Sequence, residues 1–354
     1  MPAWELPVYS RTRVAKAGRE VAKHLQAGLG ETTIDVKRAL VDDIAVINNF
    51  RASHAFPLNT FQTALRAKSR EIDPNAIVAQ RLKRMPTIID KLRRFPDMNL
   101  SRMQDIGGCR AVMASIESVY DLSKAFENRK VSHILANKKD YIKEPKASGY
   151  RGIHLIYKYV SDRNDTYNNY HIEVQVRSQL QHAWATAVET AGMLLKQQLK
   201  SSQGEERWLE FFAYASSAIS FLEGTPHLHT QCDRVQVANA LREVAASLHA
   251  FELLRAVSTT MQLRENQPDM VSAGYFILVV NTESQELSVY TFKKNEAKRA
   301  SSAYETVEHD NRNNENIETV LVSVESFTSL KSAYPNYYGD ASVFIETIEE
   351  FISA

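Results

Sequence analysis

Tyr141–His154 reads YIKEPKASGYRGIH, and His171–Arg177 reads HIEVQVR. The second run alternates. Ile172, Val174 and Val176 fall on one side, and His171, Glu173, Gln175 and Arg177 on the other, the two-residue period of a strand. Such a strand is either an ordinary solvated sheet surface or the wall of a polar site. In the first run, Pro145 and Gly149 mark turns, Lys143, Lys146 and Arg151 supply cationic donors, and Tyr150 offers a flat face to a base. Alone, that run also reads as a solvated hairpin loop. Side by side, the two describe a phosphate-handling pocket with a carboxylate next to it, which points to a nucleotide enzyme rather than a scaffold.

Outward from this pair, Ile153–Val160 and Tyr170–Arg177 are expected to form an antiparallel hairpin, followed by a long helix over Gln179–Leu199. Upstream, Ile77–Lys83 alternates as a strand, and Pro86 suits the first turn of a helix ending at Phe95, with Pro96 as its stop. One helix running through Pro86 would cost roughly 3 kcal/mol. Cys109–Ala114 reads as a strand and Ser118–Asn128 as a helix. Val14–Leu29 and Val41–Phe50 carry helical spacing, as do Arg207–Leu222 and Val235–Met261. Composition shifts near Gln267–Gly274. Beyond it come the runs YFILVV and LSVYTF, a polar helix at Asn295–Glu308, the strand TVLVSV, and helices at Phe327–Ala333 and Ser342–Ile352. The expected division is 1–50 (N-terminal helices), 51–200 (a catalytic domain), 201–265 (a helical segment) and 270–354 (a small α/β module). The class is α+β: a mixed sheet flanked by helices.

The 354 residues suffice for two or three domains. With 44% hydrophobic and 24% charged residues and a net charge of +1, the chain is not a nucleic-acid-coating protein. Its basic residues cluster, however. Arg81–Arg102 holds Arg81, Lys83, Arg84, Lys91, Arg93, Arg94 and Arg102 against Asp90 and Asp97, which suits a small anionic ligand or one limited contact with RNA. Cys109 and Cys232 form no CxxC pair, so zinc and a disulfide framework are not expected. No apolar run reaches membrane-span length, and the N-terminus has no apolar signal core. The expectation is a cytoplasmic protein with no membrane partner.

Asp105, in QDIGGCR ahead of a strand, stands where magnesium is often held, by one or two carboxylates with phosphate oxygens and water completing the shell. An Asp before Gly-Gly is also an ordinary turn residue, so the magnesium reading requires Glu173 to lie nearby. Arg81 and Lys83 share a strand face, and Lys91 and Arg94 lie one helical turn apart; together they suit a triphosphate. A charge-assisted hydrogen bond is worth about 1.5–3 kcal/mol and base stacking about 1–3 kcal/mol. Phosphates would therefore carry most of the affinity and the base contact the selectivity. His182 and Trp184 fall on the long helix. Trp184 reads as core, whereas His182 is either a phosphate contact or a surface residue.

In order along the chain, RLKRMPTIIDKLRR, QDIGGCRAV, YIKEPKASGYRGIHL and HIEVQVRSQLQHAWA resemble the synthetase domain of the RelA/SpoT family, which makes the alarmone (p)ppGpp. The resemblance covers residues 75–190, about a third of the chain. It implies a nucleotidyltransferase-like mixed sheet and magnesium-dependent transfer of the ATP β,γ-pyrophosphate to a ribose 3′-hydroxyl. By position, Arg81, Lys83 and Arg110 would hold ATP, with Lys91 and Arg94 beside them. Asp105 would bind Mg2+. Glu173 would bind metal or take the hydroxyl proton, with Gln175 at its side. Lys146 and Arg151 would meet acceptor phosphates, and Tyr150 would stack on guanine. Lys143, His154, Arg177 and His182 complete the expected acceptor set.

Two positions depart from the family: Gly152 stands where Ser is frequent, and Glu189-Thr190 where a Glu-His pair is. The chain shows no His-Asp hydrolase motif and has no room for the family's long ribosome-sensing half. It resembles a small, synthetase-only member with its own C-terminal extension. Some small members are toxins that make alarmones without restraint or pyrophosphorylate the 3′ end of tRNA. The expected substrates are therefore ATP with GDP or GTP, or ATP with tRNA. An antitoxin or a sensed ligand would act at 270–354, and oligomeric state is left open. A catalytically inactive nucleotide-binding module is the reading from another class.

Overall fold

The sheet is laid down by period-two segments far apart in the chain. In the computed structural model, which describes residues 4–26, 34–95, 97–128, 132–195, 199, 204–260, 262–265, 273–311, 314 and 316–354, three helices come first: α1 (Arg11–Gln26), α2 (Ile34–Ala52) and α3 (Ala55–Ile72). There follow β1 (Ile77–Leu82), α4 (Met85–Arg94), β2 (Gly107–Met113), α5 (Ile116–Glu127), β3 (Ile134–Asp140), β4 (Ile153–Lys158) and β5 (His171–Ser178). Helices α6 (Gln179–Leu195), α7 (Glu206–Glu223), α8 (Arg234–Leu248) and α9 (Ala250–Thr260) lead to β6 (Gln262–Glu265), β7 (Ala273–Asn281), β8 (Glu286–Lys293), α10 (Ala297–Asp310), β9 (Ile317–Ser323), α11 (Phe327–Ala333) and α12 (Ser342–Ser353). No helix among the described residues is long and apolar enough to cross a membrane.

Among the described residues nine strands form one mixed sheet in the order β3-β4-β5-β2-β1-β9-β7-β8-β6. The β2–β5 and β6–β8 pairs are parallel; the rest are antiparallel. The class is α+β with helices flanking a mixed sheet, as the residue pattern requires. The strand-then-helix reading around Pro86 holds, with the proline in the first turn of α4. Helix α4 buries Met85, Ile88 and Leu92 and leaves Lys91 to face the neighbouring strands.

Three expectations change. The C-terminal strands do not build a sheet of their own, because β9 pairs with β1 at Gln80↔Ser323 and Arg81↔Val322 and so extends the first sheet. Helix α12 leaves those strands and packs Phe344, Ile348 and Phe351 among α6–α9, beside Phe211 and Phe212. The single helix expected over Val235–Met261 is two, broken where His249 takes a left-handed conformation at φ 49°. Leu29, Pro96, residues 196–198, Met261 and residues 266–272 of the compositional shift lie outside the described residues. Two strands were not expected as such: β6, and the outer strand β3, whose largely exposed ANKKD run carries no apolar alternation.

Apolar packing explains the layering. One core gathers Val14, Phe61, Leu65, Ile88 and Leu122 with Ile172, Val174 and Val176 of β5, so α1 and α3–α5 cover one face of the first half of the sheet. A second core of α6–α9 and α12 stands at the sheet's far side. A third joins Ala79 of β1 to Val320, Val322, Tyr334 and Tyr337, fixing the segment after α11 against the sheet.

Candidate active site

Alternation puts Arg81 of β1, Arg110 of β2, His154 of β4 and Glu173, Gln175 and Arg177 of β5 on one face, opposite the α3 core. The register aligns them: Gly108 stands beside Glu173, and Arg110 beside Gln175, which pairs with His154. The face opens into a cavity of about 360 Å³. Lys83, Lys91 and Asp105 line one end of it, and Lys146 and Tyr150 the other. Asp105 and Glu173, far apart in sequence, thus share one cleft.

At the first end, Asp105 accepts from Lys83 at 3.1 Å and from Lys91 at 3.0 Å. Burial pushes the Asp105 carboxyl up, but Lys83 and Lys91 outweigh it and hold the group below its usual range. Burial lowers Lys83, and Asp105 only partly offsets that. Arg110 is disfavoured as a cation first by burial and then by Arg177. Its guanidinium lies 5.2 Å from the Tyr334 ring centre, one terminal nitrogen donates to the Ala333 carbonyl, and its Nε has no hydrogen-bond partner.

At the other end, hydrogen bonds close a ring. Gln175 Nε2 donates to Glu173 Oε2 at 2.7 Å, Arg177 Nη2 donates to Gln175 Oε1 at 2.9 Å, and the same nitrogen donates to the Tyr150 hydroxyl at 2.9 Å. Tyr150 Oη lies 2.6 Å from His154 Nε2, and His154 Nδ1 lies 2.8 Å from Glu173 Oε1. Donor bookkeeping sets the directions. The tyrosine oxygen accepts from Arg177 and gives its proton to Nε2, so Nδ1 carries the hydrogen that Glu173 accepts. Burial pushes the Glu173 carboxyl up; the bonds from His154 and Gln175 reverse this and hold it below its usual range. Arg177 is 2% exposed, and its Nε and Nη1 have no hydrogen-bond partner. Donors left unpaired under burial are costly, so these guanidinium nitrogens suit an incoming anion.

Two glycines make the ring possible. Gly149 adopts φ +89°, and a Cβ there would lie 2.9 Å from both Ser216 Cβ and Trp184 Cζ2. Gly152 adopts φ +140°, and its Cβ would come 3.1 Å from Arg177 Cγ. The departure from the family's Ser at Gly152 therefore has a backbone cause.

Of the expected residues, Glu173, Asp105, Gln175, Arg81, Lys83, Lys91, Arg110, Lys146, Tyr150, His154 and Arg177 line the cavity. Four are not brought there. Arg94 pairs with Asp90 one turn back on α4, Nε to Oδ2 at 2.9 Å. Lys143 is exposed, its Nζ 5.9 Å from the Tyr120 ring centre. Arg151 is 2% exposed and spent on the Ser216 hydroxyl and the Ile142 and Pro226 carbonyls, tying the loop to α7. His182 is buried on α6 with Nε2 3.1 Å from the Ser332 carbonyl, and burial, with Arg110 and Arg177 nearby, keeps it neutral. Tyr150 is present but buried, with cations on its ring: Lys146 Nζ at 4.9 Å and the Arg177 guanidinium at 5.0 Å from its centre.

Other cavity residues were not singled out from sequence: Gln104, Lys139, Tyr141 and Tyr334. Tyr141 stands in the quoted loop, and Lys146 Nζ lies 4.4 Å from its ring centre. An aromatic at the mouth of a basic loop was the available signal. Tyr334 had none, because its position depends on the β1–β9 pairing.

The donor set fits magnesium. Asp105 and Glu173 offer hard oxygens, and burial makes the Cys109 thiol a poor ligand by pushing its pKa up. The described residues contain no cluster of three or more His, Cys, Asp and Glu side chains able to cage a metal.

Two carboxylates in a cation-lined cleft on a mixed sheet have the chemistry that a phosphate-binding site requires. The particular kinship comes from sequence: residues 80–199 match the family described as the region found in RelA / SpoT proteins. Over 115 residues it is 30% identical to the GTP pyrophosphokinase YjbM of Bacillus subtilis (strain 168), a stretch covering 32% of this chain and 54% of that protein. Over 168 residues it is 24% identical to the GTP pyrophosphokinase YwaC of the same organism, covering 43% and 80%. The match thus spans about half the length of YjbM. Among solved structures, small alarmone synthetase 1 from Bacillus subtilis bound to its product pppGpp aligns at 25% identity, 48% of this chain, 88% of that chain and a TM-score of 0.42. Small alarmone synthetase 2 aligns at 21%, 50%, 93% and 0.43.

Proposed function

We propose that this chain is an ATP:guanine-nucleotide 3′-pyrophosphotransferase, forming (p)ppGpp from GDP or GTP, whose ATP end is restrained by its own C-terminal segment. The carrying observation is that Asp105 and Glu173 share one cleft with buried guanidinium nitrogens of Arg110 and Arg177 that have no partner. Arg81, Lys83, Lys91 and Arg110 bind the ATP phosphates. Arg177 and Lys146 meet the acceptor. The acceptor 3′-oxygen attacks the β-phosphorus, the bond from that phosphorus to the bridging oxygen of the α-phosphate breaks, and AMP leaves. Glu173 takes the hydroxyl proton, aimed by His154 and Gln175. The cations stabilise charge on the transferred group because they are already in place. Mg2+, held through Asp105 and Glu173 when bound, would neutralise phosphate charge.

The restraint reading rests on Tyr334, which lines the cleft, covers the Arg110 guanidinium and donates to the Gln80 carbonyl at 3.3 Å. Tyr337 and Tyr334 also face Arg81. A synthetase held in this way fits a toxin or defence protein released by a signal or held by an antitoxin.

One observation favours tRNA as an alternative acceptor. Lys139 of β3 lines the cleft, and both it and Lys143 in the loop after β3 are exposed. The test incubates the full chain and magnesium with γ-labelled ATP and GDP, GTP or deacylated tRNA in parallel. Labelled guanosine tetra- or pentaphosphate is the expected result. Label on tRNA alone selects the second reading, and nucleotide binding without transfer makes the chain an inactive module.

A further inference from the structure

Gln80 and Leu82 alternate with Arg81 and Lys83 on β1, so they face the side of the sheet away from the cleft. There a second cavity, of about 320 Å³, lies over the junction of β1 and β9. That junction is a short ladder, Gln80↔Ser323 and Arg81↔Val322. Helix α3 packs on one side of it and α10 on the other, and the gap between them is the cavity. Its volume falls at the small end of ligand sites, roughly 300–1,000 Å³.

The lining is rich in acceptors. Glu5 of the N-terminal segment and Glu305 of α10 both border it. Asn49 Nδ2 reaches Glu5 at 3.3 Å, while Glu305 forms no ion pair among the described residues. Gln80 is 6% exposed, lines the cavity, and its Oε1 has no hydrogen-bond partner. Arg51, outside the lining, is already used, pairing with Glu308 at 2.8 Å and stacking on Tyr304, and Arg81, which borders the cavity on β1, belongs by alternation to the opposite face of the sheet. Lys298, at the rim, is exposed. Burial pushes the Glu305 carboxyl up, Arg51 draws it down, and Glu5 and Glu308 add to the rise. Two carboxylates and an unpaired carbonyl around this partly open cavity favour a ligand that brings positive charge and several donors. Trp4 and Leu321 supply apolar wall for its body.

We infer that this cavity binds a small organic cation, an alkyl guanidinium or alkyl ammonium compound, with its head between Glu5 and Glu305, a donor on Gln80 Oε1 and its chain against Trp4. The inference stands apart from pyrophosphate transfer, since nothing in its test involves a nucleotide. The full chain is titrated by calorimetry with n-butylguanidinium and, separately, with n-butylurea, which has the same shape without the charge. Saturable binding of the guanidinium is expected, at least tenfold tighter than of the urea, with a raised melting temperature and a tryptophan emission change that Trp4→Phe abolishes. Glu305→Gln should weaken binding at least tenfold and Gln80→Leu at least threefold, each with an unchanged circular dichroism spectrum; the second variant serves if the first does not fold. No saturable binding, equal binding of the urea, or binding indifferent to whichever of these variants folds overturns the inference.

Discussion

The two ends of the cleft hold their charges in different ways. At the end proposed for the acceptor each member of the ring Glu173–Gln175–Arg177–Tyr150–His154 is hydrogen-bonded to another member, with Arg177 Nε and Nη1 left over, and all five come from β4, β5 and the loop before them. At the ATP end Asp105 is held by lysines from β1 and α4, while Arg110 is held by Tyr334 and the Ala333 carbonyl from more than two hundred residues away. The first end is built by local sequence. The second takes partners from the segment after α11, which packs on the sheet through Tyr334 and Tyr337, and on the proposed reading this is where restraint would act.

The sharpest way to break this contrast is at the ring. Glu173→Gln keeps the shape and removes the base, so turnover should fall about 10²–10⁴-fold. ATP affinity, measured by calorimetry, should stay within about threefold, since phosphate contacts come from the other end. Retained turnover would remove Glu173 from the chemistry.

Arg151 tests where the acceptor end stops. Its expected role was to meet acceptor phosphate, yet its donors are taken by Ser216, Ile142 and Pro226. Arg151→Ala should cost stability, about 1–3 kcal/mol for each polar group left buried and unpaired, seen as a lower melting temperature. The acceptor KM should move by no more than about twofold. A large KM effect without loss of stability would return Arg151 to the site.

The same contrast explains what could be read from the sequence. The period-two face of β5 and the basic run over β1 and α4 depend on neighbours in the chain, so Glu173, Gln175, Arg81, Lys83 and Lys91 were legible. Arg151 was misplaced because a turn-rich loop reads as solvated. Only the positive φ of Gly149 and Gly152 reveals that the loop folds inward against Trp184. β3 was missed because, as an edge strand with exposed lysines, it lacks an apolar face. The joining of β9 to β1 left no local trace, and with it went Tyr334.

Tyr334 is therefore the residue on which restraint can be measured. A cation–π contact is worth about 0.5–2 kcal/mol and a hydrogen bond such as that to the Gln80 carbonyl about 1 kcal/mol. Removing both with Tyr334→Ala should uncover Arg110, whose bond to the Ala333 carbonyl remains, and tighten ATP binding roughly tenfold, at about 1.4 kcal/mol per factor of ten. Acceptor affinity should not follow. Equal tightening at both ends would mean that the segment closes the whole cleft, and no tightening would mean that it is only scaffold.

The smallest effect separates the two carboxylates by acid titration. Both sit below their ordinary values in the folded chain, but Asp105 is drawn down by Lys83 and Lys91 and Glu173 by His154 and Gln175, each against burial. A group with a depressed value is ionised, and contributes to stability and binding, above its ordinary range. That contribution is lost only as pH falls through the depressed value. Lys91→Met removes one of the two lysines, so the Asp105 value rises and the acid limb of ATP binding should move to higher pH. Glu173 is held down by His154 and Gln175 and pushed up only secondarily by Asp105, so a limb measured on acceptor binding should move less than the limb of ATP binding. If both limbs move together in Lys91→Met, the carboxylates titrate as one coupled pair, and the two ends are electrostatically a single site.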